Sequence, residues 1–284
     1  MNLFDQWVEE VLQRTPELSL MRPVVEKELL HHDILRILQQ SGLLKGLVFM
    51  GGTCLRACYG SQRLSEDLDF YGGLDFSPEQ LQGLASQIQI GIGKKYGFNI
   101  RVHEPRQDRT QVRTWKVIIQ THAERPDIPS QRIHLDICLL DAMDIQPMVL
   151  RNPYGLDVGT SGLILRAASR EEIYVDKIVA LALRVGRIKF RDVWDLHWLR
   201  QQNTALRGNW ILPKVAMHGH SAEDFRDALL TRLNLLSENS ALQKEGWKEL
   251  SRFLLHEQIS GLVDQPDFWR YLCSELRRDL SSIL

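Results

Sequence analysis

Cysteine is scarce in this chain: Cys54, Cys58, Cys138 and Cys273 are the only four among 284 residues. They form no Cys-x-x-Cys pair and have no histidines at zinc-site spacing, which excludes a disulfide framework and a structural zinc site. Four reduced, buried thiols are expected. An excess of either charge is also missing, with 35 Lys+Arg against 36 Asp+Glu and a formal net charge of −1. A globally polybasic nucleic-acid clamp is therefore excluded, and any anionic partner must be met by a local patch. No stretch approaches the ~18 apolar residues of a membrane span. Residues 1–18 carry Asp5, Glu9 and Glu10 and no uninterrupted apolar core, so they do not read as a signal peptide, and a cytoplasmic location is expected. Repeats and low-complexity tracts are lacking, which rules out a solenoid.

What is present divides near residue 165. Trp7, Val8, Val11 and Leu12 mark a first helix; Val24, Leu29, Ile34, Leu35, Ile37 and Leu38 mark a second, with Pro23 expected to separate them. Leu47 to Met50 is a short apolar run closed by Gly51 and Gly52, the pattern of a buried strand entering a tight turn, with a helix from Thr53 to about Tyr59. Leu64–Phe70 alternates as a strand does. Ser77-Pro78-Glu79 predicts a helix start running to about Lys95. Asn99–His103, Thr114–His122 and Arg132–Leu140 read as strands punctuated by Pro105, Pro126 and Pro129. From Ser169 the pattern is helical, with Pro213 and Pro266 as breaks.

The chemistry concentrates in Gly51-Gly52-Thr53 and Arg63-Leu64-Ser65-Glu66-Asp67-Leu68-Asp69. Two glycines between a strand and a helix let the backbone approach a ligand, and the helix start behind them offers free N–H groups to a polyphosphate. Asp67 and Asp69, two residues apart on a strand, project from one face and supply the hard oxygens that suit Mg²⁺. Asp136 is a lone acid in the apolar run Ile133–Leu140, where it is costly unless paired or metal-bound. Three carboxylates on adjacent strands could hold two Mg²⁺ about 4 Å apart, the geometry of nucleotidyl transfer.

These segments resemble the AbiEii/AbiGii-type nucleotidyltransferase toxins of the DNA polymerase β-like superfamily. The resemblance rests on Met50-Gly51-Gly52 followed by Asp67-Leu68-Asp69, and on Lys177 followed by Arg191-Asp192-Val193-Trp194-Asp195-Leu196. It spans roughly residues 25–200. It implies an NTP bound by Gly51, Gly52, Thr53, Ser65 and Lys177, and magnesium, two ions, on Asp67, Asp69 and Asp136. It also implies catalytic roles for Asp67, Asp69, Lys177 and one of Asp192 or Asp195, without choosing between the last two. A tRNA 3′ end as acceptor, a separately encoded antitoxin as partner and a phage-defence or toxin–antitoxin setting follow from the same resemblance. Ser65 would line the site or itself accept a modifying group.

Two basic regions bear on an anionic partner. Lys177, Arg184, Arg191 and Asp195 would share one face if residues 169–199 were a single helix, with Gly186 the point at which it would split into a hairpin. Arg101, Arg106, Arg109, Arg113, Lys116, Arg125 and Arg132 outnumber Glu104, Asp108, Glu124 and Asp127 by seven to four, which suits either an RNA backbone or ordinary strand-edge charge. Trp194, Trp198 and Trp247 read as packing residues, and the adjacent His31 and His32 point in different directions and do not suit one metal.

The expected fold is α+β: a nucleotidyltransferase-type mixed sheet flanked by helices over residues 1–165, then a C-terminal helical bundle over 166–284 contributing to the active-site cleft and to partner binding. The expected activity is Mg²⁺-dependent transfer of NMP from an NTP to an acceptor hydroxyl. Modification of a protein Ser, Thr or Tyr hydroxyl, and a non-catalytic nucleotide- or RNA-binding module, are the alternatives.

Overall fold

A computed structural model describes residues 2–105, 110–125, 127–263, 265 and 267–283. Arg106, Asp108, Arg109, Pro126 and Pro266, named above, lie outside the described residues. The chain forms two compact units, Met1–Ala168 and Ser169–Leu284.

The first unit is built on one seven-stranded mixed sheet. Its strands are β1 (Val48–Met50), β2 (Leu68–Tyr71), β3 (Asn99–His103), β4 (Val112–Gln120), β5 (Gln131–Cys138), β6 (Ile145–Val149) and β7 (Ile164–Ala168), in the order β3-β4-β5-β2-β1-β7-β6. β5 runs parallel to β2, and β7 parallel to β1; the other neighbours are antiparallel. Period-2 patterning gives the sheet two unlike faces. Ile100, Trp115, Val117, Ile119, Ile133, Leu135, Ile137, Leu68, Phe70 and Phe49 form the buried face. Helices α2 (Arg22–Gln40) and α4 (Leu84–Tyr96) cover it, with α1 (Leu3–Arg14) packed on α2 and the short α3 (Gly51–Ala57) beside β1 and β2. The opposite face carries Asp69, Asp136, Thr114, His134, Lys116, Arg132, Arg101 and His103, none of them buried.

Several expected boundaries shift for local reasons. Pro23 sits in the first turn of α2 rather than before it, where a missing N–H costs nothing. α3 begins at Gly51, two residues early. Residues 64–67 are loop rather than strand, because the Ser65 N–H is taken by the Glu28 side chain at 2.9 Å instead of a ladder partner. Gly83, with φ +89°, separates a 3-10 turn (Pro78–Leu81) from α4, breaking the helix expected from Ser77. The strands β6 and β7 carry too little alternation to be read from sequence. All four cysteines are free and buried. His31 and His32 are buried too, bonded separately to the Glu66 carbonyl and the Thr160 hydroxyl, both at 3.0 Å.

The second unit is helical: α5 (Arg170–Leu183), α6 (Phe190–Gln201), α7 (Gly208–Met217), α8 (Ala222–Glu238), α9 (Ser240–Leu250), α10 (His256–Val263) and α11 (Phe268–Asp279). Pro213 lies inside α7 rather than ending it. α5 packs against α6, α7 and α8. The single helix considered for residues 169–199 is a hairpin, reversed where Gly186 adopts φ +86°. Within it Lys177 Nζ lies 2.5 Å from Asp192 and 2.8 Å from Asp195, and Arg184 closes on Asp192 at 2.7 Å. Arg191 leaves that face: its guanidinium stacks over Phe253 at 4.6 Å and lies 4.0 Å from Glu249. Trp194 and Trp198 are buried, and Trp247 packs with Phe268 and Trp269 at centroid distances of 5.2 and 4.9 Å.

Three stability predictions follow from this packing. Gly246 of α9 lies so close to Phe190 of α6 that an added Cβ would overlap the ring. Gly246→Ala should therefore lower the unfolding free energy measured by urea titration by about 1–2 kcal/mol, overpacking outweighing the better helix propensity. In a Phe190→Leu background the same change should become neutral or stabilising. Lys177→Met leaves Asp195 (0% exposed) and Asp192 (6%) without their shared cation and should cost about 3–5 kcal/mol. Burial alone would raise the Asp192 pKa, but Lys177 and Arg184 outweigh it and hold the carboxyl well below its usual 3.8. The stability this supplies is complete above the unfolded-state value and drains away as pH falls below it. Urea midpoints measured between pH 5 and pH 2 should fall more steeply for wild type than for Asp192→Asn.

Candidate functional site

The Gly-Gly turn is shaped by what crowds it. Gly51 has φ +76°, in the left-handed region, and a Cβ there would stand 2.5 Å from Asp69 Oδ2. At Gly52 a Cβ would collide with the guanidinium of Arg63. Both positions exclude a side chain because functional groups already press against the backbone.

Sheet register arranges the acids in rows. Asp69 pairs with Met50 on one side and with Asp136 on the other, and Asp136 with Thr114, so Met50, Asp69, Asp136 and Thr114 form one row on the open face. Partners on adjacent strands lie ~4.8 Å apart, which brings the Asp69 and Asp136 carboxylates side by side. The Thr114 hydroxyl donates to Asp136 Oδ1 at 2.6 Å. Asp67 lies in the loop just before β2, against the next row, which His134 begins on β5. Its Oδ1 accepts the His134 backbone N–H at 3.3 Å and lies 3.2 Å from the His134 ring Nδ1. Lys116 and His103 continue that row on β4 and β3.

A buried layer beneath holds these segments in place. Glu28, on α2 and 3% exposed, accepts from Arg56 Nε at 3.2 Å, from the Ser65 backbone N–H at 2.9 Å and from the Tyr154 hydroxyl at 2.5 Å. Burial, and after it the Glu28 charge, pushes the Tyr154 pKa well up, keeping its proton available for donation. Arg56 also donates to the carbonyls of Ser61 and Gln62, and Lys27 pairs with Glu66 at 2.7 Å. Arg63 is buried and donates to the Leu64 carbonyl at 2.8 Å. The Thr53 hydroxyl bonds the Ser65 hydroxyl at 2.7 Å and the Asp67 carbonyl. The segment from Arg63 to Glu66 is thus a strut that fixes where Asp67 and Asp69 emerge.

Against the residues expected from sequence, Gly51, Gly52, Asp69 and Asp136 come together, and Asp67 lies against the adjoining row. Thr53 and Ser65 are buried and bonded to each other. Lys177, Asp192 and Asp195 form a buried ion cluster in the helical unit. Glu28, Arg56, Tyr154 and His134 escaped sequence reasoning. Glu28 had no signal, since nearly every residue around it on α2 is buried and no stripe singles it out. His134 had one: it alternates with Asp136 on a strand whose other face is apolar.

The donor set consists of carboxylates, the ligands of a hard divalent cation. Asp69 and Asp136 fit such an ion, cradled where Gly51 lacks a Cβ. Among the described residues no group of three or more His, Cys, Asp or Glu converges closely enough to hold a metal by itself, because the Asp67 carboxylate is turned to His134. Also among the described residues, no helix is long and apolar enough to cross a membrane.

Solved structures with this fold include MenT4, a nucleotidyltransferase toxin from Mycobacterium tuberculosis H37Rv. The two are 16% identical, with a TM-score of 0.59 over 99% of this chain and 98% of that one. A Helicobacter pylori chain whose own assignment as a nucleotidyltransferase is provisional matches at 20% identity and TM-score 0.50, over 92% and 97%. Helicobacter pylori JHP933 matches at 21% identity and TM-score 0.47, over 92% and 96%. At these identities the likenesses with TM-scores of 0.59 and 0.50 show the fold. No curated protein matches the sequence. The family model described as nucleotidyl transferase AbiEii toxin of a type IV toxin–antitoxin system matches residues 33–273, most of the chain and both units. The chain belongs to the AbiEii family: it is a nucleotidyltransferase toxin, with the NTP substrate and antitoxin partner that such membership carries.

Proposed function

We propose that this toxin transfers NMP from an NTP to the 3′ hydroxyl of a tRNA, with magnesium at the acid row. The observation that carries the reading is the registered pair Asp69–Asp136 pressed against the Cβ-less Gly51. In the transfer, the acceptor oxygen bonds the α-phosphorus, the α–β phosphoanhydride breaks, pyrophosphate leaves with its electron pair, and the hydroxyl proton passes to solvent or a carboxylate of the row. Bound Mg²⁺, two ions in this reading, would neutralise the developing phosphate charge. Asp69 and Asp136 would hold it, joined by Asp67 when that carboxylate gives up His134.

The residues of the chain divide the remaining work. Gly51 and Gly52 admit the triphosphate close to the backbone at the start of α3, since no Cβ stands in the way. Thr53 and Ser65, bonded to each other, hold the turn against the acid-bearing loop and line its base. Lys177, whose phosphate role comes from the family resemblance, is matched by Asp192 and Asp195 inside the helical unit, and its part in this reading is to organise that unit. The toxin acts in this reading within a type IV pair, in a phage-defence setting.

The test is transfer from each α-³²P-labelled NTP, with Mg²⁺, to purified tRNA. Wild type should label the RNA 3′ end, and Asp69→Asn or Asp136→Asn should lose at least about 100-fold in rate. Label appearing on a protein instead would assign a Ser, Thr or Tyr acceptor, and undiminished transfer by either variant would remove the site from the reaction. Glu28 touches no reacting atom yet positions Ser65 and Arg56. Glu28→Gln should reduce kcat about 10–100-fold, the usual cost of losing a residue that orients metal-binding carboxylates, while the far-UV spectrum stays native.

A further inference from the structure

The open face carries more than the acid row. Moving along the strands from Met50-Asp69-Asp136-Thr114, the next row is His134-Lys116-His103, with Asp67 of the loop before β2 against His134, and the row beyond is Arg132-Ile118-Arg101. Successive rows lie ~6.7 Å apart and adjacent strands ~4.8 Å. Lys116 therefore stands one row from Asp136, and Arg101 and Arg132 two rows away, ~10 Å from each other across Ile118.

These cations are not used to hold the sheet together. Arg101, Lys116 and Arg132 are exposed, and among the described residues none has a side-chain ion pair or hydrogen bond. Their neighbours in the same basic stretch differ. Arg125 is paired with Asp127 at 2.8 Å, and Arg113 turns to the Thr110 carbonyl at 2.6 Å. The imidazoles of His103 and His134 and the aliphatic Ile118 stand between the cations. Unpaired cations interleaved with flat rings and an apolar side chain match an unstacked nucleic-acid strand, which presents phosphates and bases alternately. An acidic protein surface would need the charges but not the rings.

We propose that the exposed face of β3, β4 and β5 is the track for the acceptor strand. Arg101, Arg132 and Lys116 would contact its phosphates and lead its 3′ end to the acid row. This rests on the reading that the acceptor is RNA, and it adds where and in which direction the strand lies.

The experiment uses the full chain and a fluorescein-labelled 12-nucleotide single-stranded RNA, without NTP, titrated at several KCl concentrations. For the triple variant Arg101→Gln, Lys116→Gln, Arg132→Gln, the affinity at ~0.1 M salt should fall at least 10-fold. The slope of log Kd against log salt should drop by about 2, at ~0.7 per phosphate contact on a single strand. The exposed control set Lys45→Gln, Lys94→Gln, Lys248→Gln should bind as wild type does. Unchanged affinity and slope in the triple variant would overturn the track, as would absence of RNA binding by wild type. Poly-glutamate binding as tightly as RNA, with the same loss in the variant, would assign the face to an acidic protein and overturn it as well. Because NTP is absent, failure of the transfer reaction leaves this readout intact. Transfer to RNA by the triple variant at an unchanged KM would remove the track alone.

Discussion

A single buried carboxylate, Glu28, decides the geometry of the sheet's acid-bearing strands. Its two oxygens gather a guanidinium from α3, a backbone N–H from the loop before β2 and a tyrosine hydroxyl from the segment after β6. A charge 3% exposed is tolerable only when its acceptor sites are filled, and here the partners come from three separate stretches of chain. Meeting the solvation demand of one group therefore fixes the relative placement of the Gly-Gly helix, Ser65 and the strand carrying Asp69. The carboxylates on the surface are aimed by one that never reaches it.

The same logic separates the charges of the two units. In the helical unit two lysines are interior: Lys177 sits between Asp192 and Asp195, and Lys214, 0% exposed, between Glu172 at 2.5 Å and Asp176 at 3.1 Å. Each has its charge matched within hydrogen-bond distance, so little of it is felt beyond the cluster. On the open sheet face the cations are exposed and unpaired among the described residues. A net charge of −1 thus conceals a division between cations that organise a core and cations that are available to an anion.

How much of this was legible in the sequence depends on whether a residue's role is local. The strand–Gly-Gly–helix transition, β3 to β5 and the spacing of Asp67, Asp69 and Asp136 were readable, because period-2 patterning and glycine punctuation are consequences of neighbours in the chain. The family assignment was legible for the same reason, its motifs being contiguous. What could not be read was whatever depended on distant partners. The strand expected at Leu64 ends in a loop because Glu28, 37 residues away, takes the Ser65 N–H. For Lys177, Arg184 and Arg191 the sequence left open one shared helix face or a hairpin split at Gly186. The hairpin forms, and distant partners then send Arg184 to Asp192 and Arg191 to Phe253.

The two-faced sheet explains why these roles coexist in so short a stretch of chain. Along β5, Ile133, Leu135 and Ile137 face the helices, while Arg132, His134 and Asp136 face outward. A slip of one residue in register would exchange the two sets, burying two charged groups and an imidazole and exposing three large aliphatics. The apolar face therefore does more than stabilise the unit. By penalising every other register it holds Asp69 beside Asp136, His134 beside Lys116 and Arg132 in line with Arg101. A surface whose chemistry depends on rows a few ångströms apart is specified by the hydrophobic residues on its reverse.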